Sequence, residues 1–332
     1  MNKVNVPAIS RRTALGVLAS VAVVPRLAYA DVPAAFPKSQ VTLIVPFTPG
    51  GPVDVLGRLL AHEYQTRSGQ NVVVENRPGG AGNIGIDIVK NAKPDGTTLL
   101  LIPAGNLTIN PTLMPNLTFN VAQDFAPIAL LASAPNVIVV SPKLGVTTVK
   151  EFIAKAKSQK LSYGSPGVGS QLHLAMELLK DKAGIDIQHV PYRGSPQALQ
   201  DLLGGYIDVL ASNLPAVLPG INDKIVVPIA MTTAQRSELV PTIPTLAESG
   251  IEGIDATSWY GMLAPHAIAP DVHDALFTVT RDIMTSPDLH AKLLAQGLTA
   301  AVEAPGPFAD RIARETALWA GVIKSRNITI QQ

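Results

Sequence analysis

The sequence predicts an α/β fold of two domains, and three observations carry that prediction. From residue 41 to about residue 230, short runs rich in Val, Ile and Leu alternate with helical patterns, the rhythm of strand–helix units on a parallel sheet. A segment beginning near Val137 restarts that rhythm, as a second α/β unit inserted into the first would. Two distant stretches, Val41 through Asp54 and Leu161 through His173, are also built alike: a strand, a turn of small residues, then an amphipathic helix.

The elements follow in order. Residues 41–47 read as a strand. Val53, Leu56, Leu59, Leu60 and Tyr64 then keep helical spacing, with Pro52 suited to the first helical position. Val72–Val74 and Leu99–Ile102 are the next strands, and Val137–Val140 opens the second unit. That unit continues as helix 148–157, strand 161–164, helix 170–182, strand 187–190, helix 196–203, and strands 207–211 and 225–230. From Pro270 onward the pattern is helical: Val272, Leu276, Val279 and Ile283 recur at helical spacing, as do Leu289, Leu293 and Leu294. These helices are expected to return over the first domain. The expected division is residues 1–30 as an export signal, 31–132 with 258–332 as domain 1, and 133–257 as the inserted domain 2.

The signal is read from Lys3, Arg11 and Arg12 ahead of an apolar run from Ala14 to Val24, closed by the small-x-small sequence Ala28-Tyr29-Ala30. The run is about half a membrane span, so cleavage near Ala30 would leave Asp31 as the first mature residue. Ser10-Arg11-Arg12-Thr13 admits either the twin-arginine or the general secretory route. No cysteine occurs, which in an exported chain removes disulfides, a lipid-modified N-terminus and thiol chemistry. Loss of Lys3, Arg11, Arg12 and Arg26 leaves 22 basic residues against 25 acidic, a net charge of −3. No basic stripe remains to displace phosphate counterions, so nucleic acid is disfavoured as a partner.

The paired turns carry the chemistry. Small residues let backbone approach a ligand, and a helix N-terminus presents unpaired N–H groups and a partial positive charge. Two such ends facing each other would hold a small anion. The candidate binding residues are Thr48, Gly50, Gly51 and Asp54 at the first turn and Ser165, Val168, Gly169, Ser170 and His173 at the second. Asn106 and Thr108 follow the 99–102 strand at its carboxyl end, where open α/β sheets place ligands. Asp208 closes a Gly-Gly-x-x-Asp turn. Some of these have ordinary structural readings as well: Asp54 as a first-turn charge, Ser170 as an N-cap, His173 as a packed or loop-bracing histidine, Asp208 as a brace for the cleft.

Several further motifs fall in register: Val45-Pro46-Phe47-Thr48-Pro49-Gly50-Gly51-Pro52-Val53-Asp54, Val73 through Gly85 with Asn76-Arg77-Pro78-Gly79-Gly80, Pro94-Asp95-Gly96, Tyr163-Gly164-Ser165 through His173-Leu174-Ala175, Val190-Pro191-Tyr192-Arg193-Gly194, Gly204-Gly205-Tyr206-Ile207-Asp208, and Pro241 through Gly250. In this order, across essentially the whole mature chain, they resemble the Bug family of periplasmic solute-binding proteins, the receptors of tripartite tricarboxylate transporters. Thr48 departs from the pattern, since the family more often has a proline there. The resemblance implies a periplasmic-binding-protein-like fold of two α/β domains joined by crossing strands. It also implies a small carboxylate held in the cleft partly through waters, a membrane permease as partner, and a monomer without cofactor. A receptor that signals to a two-component system would need the same cleft.

Two enzyme readings compete. Gly80-Ala81-Gly82-Asn83-Ile84-Gly85 fits G-x-G-x-x-G, but it follows the second strand, and Asp95 sits in a Pro-Asp-Gly turn rather than at a strand end. A serine hydrolase of Ser165, His173 and Asp208 lacks the G-x-S-x-G elbow, because Tyr163 stands where glycine is needed and Pro166 removes an oxyanion-hole N–H. The histidines at 62, 173, 189, 266, 273 and 290 show no H-x-H or H-x-x-x-H spacing, so no metal site is expected.

Overall fold

The computed structural model describes residues 32–114, 117–192 and 195–329; the segment expected to be an export signal lies outside them. The chain begins with β1 (Val41–Val45), α1 (Pro52–Ser68) and β2 (Val72–Asn76). It continues through α2 (Asn83–Lys90), β3 (Thr98–Pro103), the short helices α3 (Ala104–Thr108), α4 (Asn110–Leu113) and α5 (Val121–Asp124), and the long β4 (Phe125–Ala134). Then come β5 (Asn136–Val140), α6 (Val149–Ser158), β6 (Ser162–Ser165), α7 (Gln171–Ala183), β7 (Gln188–Pro191), α8 (Ser195–Gly204), β8 (Val209–Asn213), α9 (Leu214–Asn222) and β9 (Val227–Met231). The chain closes with β10 (Ser258–Pro265), α10 (Pro270–Met284), α11 (Pro287–Ala295), β11 (Thr299–Glu303) and α12 (Pro305–Ser325).

The strands form two sheets. One runs β11-β4-β10-β3-β1-β2, the other β7-β6-β8-β5-β9. Each is mixed, which corrects the parallel expectation: β1 pairs parallel with β2 and β3, but β10 runs antiparallel to β3 and β4, and β5 antiparallel to β8 and β9. β4, β10 and β11 were not foreseen as strands. The first two are apolar nearly throughout and buried on both faces, so no period-2 alternation marks them.

Alternation governs the cores even where composition hides it. In β1 and β3, Leu43, Val45, Leu99 and Leu101 pack with Leu56, Leu60 and Leu276 of α1 and α10, while Ile44, Leu100 and Ile102 turn to Ile86 of α2 and Phe308 of α12. In β5 every residue is buried; Ile138 and Val140 meet Phe152 and Met176 of α6 and α7, and Val137 and Val139 meet Leu202 and Val217 of α8 and α9. At about 2–5 kcal/mol for truncating a buried Leu or Ile to Ala, these layers fix the sheets as rigid supports for the loops at their ends.

The chain passes between the sheets at Pro135 and returns ahead of Ser258. A polar clamp holds the crossings together: Asn136 is fully buried, its Nδ2 donates to Ala256 O at 2.6 Å and Ser258 Oγ at 3.0 Å, and its Oδ1 accepts from Asn213 Nδ2 at 2.6 Å. α10 and α11 cover the first sheet as expected. α12 does more: Trp319, Val322 and Ile323 pack with Ile109 and Leu113 on one side and with Leu174 and Ala175 of α7 on the other. A buried apolar seam thus joins the two sheets behind the cleft.

Candidate functional site

A cleft of about 690 Å³ lies where the two units meet, walled by the loops after β1, β3 and β6 and floored by Asn213, Ser258, Trp259 and Tyr260. The sequence places the walls after β1 and β6 through a shared device, a strand stopping at a turn of small residues just before a helix, whereas α3 follows β3 directly. α1 starts after Gly51 with Pro52 in its first turn, and α7 starts after the N-cap Ser170. Both N-termini open on the cleft, one from each sheet. At helices of 17 and 13 residues, each end carries roughly half a positive charge. The N–H groups of Gly51, Val53, Val168 and Gln171, all from lining residues, have no protein acceptor among the described residues.

Of the residues predicted from sequence, Thr48, Gly51, Asp54, Asn106, Val168, Gly169 and Ser170 line the cleft. Several of their polar atoms are already committed. Asp54, 3% exposed, accepts from Arg58 Nε at 2.9 Å and Nη2 at 3.0 Å, from Asn76 Nδ2 at 2.9 Å, and from the Gly50 N–H at 2.9 Å. Burial acts to raise its pKa, but these bonds outweigh it and hold the carboxyl below its usual range. Asp54 therefore braces the turn as a carboxylate, and Gly50, whose N–H it consumes, borders a side chamber instead of the cleft. Asn106 spends its Nδ2 on Ala81 O at 2.8 Å. Ser170 Oγ accepts the His173 N–H at 3.2 Å and donates to Gly167 O at 2.8 Å, the N-cap reading.

Besides Gly50, four predicted residues do not reach the cleft lining. Thr108 is fully buried and donates to Ala104 O of its own helix. Ser165 is fully buried, bonded to His189 Nε2 at 2.7 Å and Gly167 O at 3.1 Å. His173 lies behind the loop, its Nδ1 accepting the Gly169 N–H at 3.1 Å. Asp208 accepts from the Ser162 N–H at 2.8 Å, tying β8 to the start of β6, whereas the cleft loop leaves that strand's other end. The hydrolase triad is therefore not assembled: the histidine facing Ser165 is His189, and Asp208 serves Ser162.

Gly169 has a packing reason beyond ligand approach. Its φ is +75°, and a Cβ there would collide with Leu113 Cδ2. The G-x-G-x-x-G resemblance has a similar explanation, since a Cβ on Gly85 would come within 2.7 Å of Pro46 Cβ. Behind the loop, His173 stacks on His189 with centroids 3.9 Å apart. Burial pushes their pKa values down to about 4 and about 3, so both are neutral at pH 7. Below them Glu177 accepts from Tyr163 Oη at 2.7 Å, Lys180 Nζ at 2.9 Å and Arg326 Nε at 3.0 Å, joining α7 to the end of α12.

Sequence reasoning missed the floor. Asn213 sits at the carboxyl end of β8, a position that could have marked it. Ser258, Trp259 and Tyr260 gave no such signal, because an aromatic pair in an apolar run reads as core. Trp259 Nε1 is held by Glu315 at 2.9 Å. Among the described residues lining the cleft there is no Lys, Arg or His, and Asp54 is the ionisable side chain there.

This architecture matches known proteins along nearly its full length. Residues 56–328 match the family model described as the tripartite tricarboxylate transporter family receptor. Protein BugT of Bordetella pertussis is 35% identical over 292 residues, 87% of this chain and 90% of that one. A TctC solute-binding protein from Polaromonas, solved without ligand, is 32% identical with a TM-score of 0.79, covering 87% of this chain and 99% of the other. R. palustris Rpa4515, solved with adipate, is 34% identical with a TM-score of 0.77, covering 88% of this chain and 99% of the other. The chain belongs to the Bug-type solute-binding receptors of the tripartite tricarboxylate transporter family.

Proposed function

We propose that the protein captures a small organic carboxylate in the cleft and delivers it, chemically unchanged, to the permease subunits of a tripartite transporter. The observation that carries this reading is the pair of helix N-termini, one from each sheet, opening on one cleft with unspent N–H groups. Such donors carry no full charge that must be neutralised when the ligand leaves, which suits capture followed by release. Bridging waters between ligand and these groups would cost little. The adipate-bound relative supports an organic acid as the ligand class.

In this reading the chain works as a monomeric, non-catalytic receptor of the periplasm, with its signal cleaved near Ala30. Its binding domains are 31–132 with 258–332 and 133–257, closing around the acid. Gly51, Val168 and Thr48 supply donors at the cleft surface; Asp54 and Ser170 hold the two turns in shape. The test is a thermal-shift screen of the mature protein against organic acids, followed by recovery of the bound compound. An acid at 100 times its Kd should stabilise the protein by about 2.7 kcal/mol and be recovered intact at one equivalent per chain. Turnover to a new product would refute the reading.

A further inference from the structure

Next to the cleft is a smaller chamber of about 390 Å³, bordered by residues that include Gly50, Val55, Ala134, Pro215, Gln296 and Leu298. Four residues border both spaces: Pro52, Pro166, Asn213 and Tyr260. Three of the four are silent as donors into either space. The prolines have no N–H, and Asn213 spends its Nδ2 on Asn136 and Ser258.

Tyr260 is different. It is 95% buried at the boundary, standing on β10 with 5% of its surface exposed, and its hydroxyl has no hydrogen-bond partner among the described residues. Nor is that hydroxyl sealed in the core: the sealed side-chain atoms without partners among the described residues are Asn83 Oδ1 and Trp319 Nε1. A buried phenol ordinarily finds a partner, and burial here raises its pKa, keeping the proton on the oxygen. Tyr260 thus borders both spaces and carries an unspent donor.

We propose that Tyr260 is a specificity-determining residue: the ligand extends from the paired helix ends into the side chamber, and the Tyr260 hydroxyl donates to an oxygen on its distal part. This rests on the carboxylate-receptor reading and sharpens it to an elongated acid with a distal hydrogen-bond acceptor. A site that offers a buried donor rejects the analogue lacking an acceptor, because the donor is then left unpaired.

Isothermal titration with three six-carbon probes tests this: adipate, 6-hydroxyhexanoate and hexanoate, against the wild-type protein and Tyr260→Phe. The wild type should bind the two distal-oxygen acids more tightly than hexanoate. Tyr260→Phe should erase about tenfold of that preference while changing hexanoate affinity by less than about threefold. An equal loss for all three probes, or an unchanged preference, overturns the role of Tyr260. Binding of acetate or succinate but of no six-carbon acid overturns the extended ligand and leaves the receptor reading standing. Failure to bind any acid overturns both.

Discussion

Lowering the pH from 7.5 to 5 should destabilise this protein through His173 and His189, and the size of the effect follows from their burial. Burial is the main cause of the low His173 pKa; Lys180 adds to it and Glu177 opposes it, leaving a value of about 4. His189 is held to about 3 by burial and by His173 beside it. Unfolded, each would titrate near 6.5. Between those limits the unfolded chain binds more protons than the folded one, so stability falls as the pH falls. The contribution is complete above about pH 6.5, declines from there towards pH 4, and loses nothing more for His173 below that. At pH 5 each histidine is worth a loss of about 2 kcal/mol relative to pH 7.5, about 4 kcal/mol for the pair.

Urea denaturation at both pH values, on the wild type and on His173→Gln, provides the assay. The histidines away from this stack cancel in the comparison, and His189, though relieved of the charge that His173 would place beside it, keeps the burial that is the main cause of its own pH dependence. The wild type should lose about 2 kcal/mol more than the variant over this range. The same proton that destabilises the fold would occupy Nδ1, which accepts the Gly169 N–H, so the cleft loop should loosen in parallel. Equal pH dependence in the two proteins would refute the argument, since it would mean that His173 is free to charge in the folded state.

Three other outcomes follow from the geometry. Ser170→Ala should lower stability by about 1 kcal/mol, read by denaturation, because its hydroxyl caps α7. Glu177→Ala should cost about 3–5 kcal/mol, also read by denaturation, since it leaves the half-buried Arg326 and buried Lys180 and Tyr163 without their shared acceptor. Gly169→Ala should destabilise through both its left-handed backbone and the clash with Leu113, and adding Leu113→Ala should restore part of the loss, measured as a double-mutant cycle.

The sequence alone determined the α/β class, the strand–turn–helix pairs and the residues at which their helices start. These are local properties: the turn after Val45 and the turn after Ser165 are written in consecutive residues, and Pro52 and Ser170 mark the helix starts wherever the rest of the chain goes. Tertiary structure decided which neighbours use the polar groups. Gly50 and Asp54 are in the same motif, yet Asp54 lines the cleft with its carboxylate bonded to Arg58 and Asn76, while Gly50 borders the side chamber. Ser165 meets His189, 24 residues away, and not His173. Tyr260 and Ser258 reach the cleft floor because β10 inserts antiparallel between β3 and β4. That pairing of distant segments leaves no periodic trace in a strand buried on both faces.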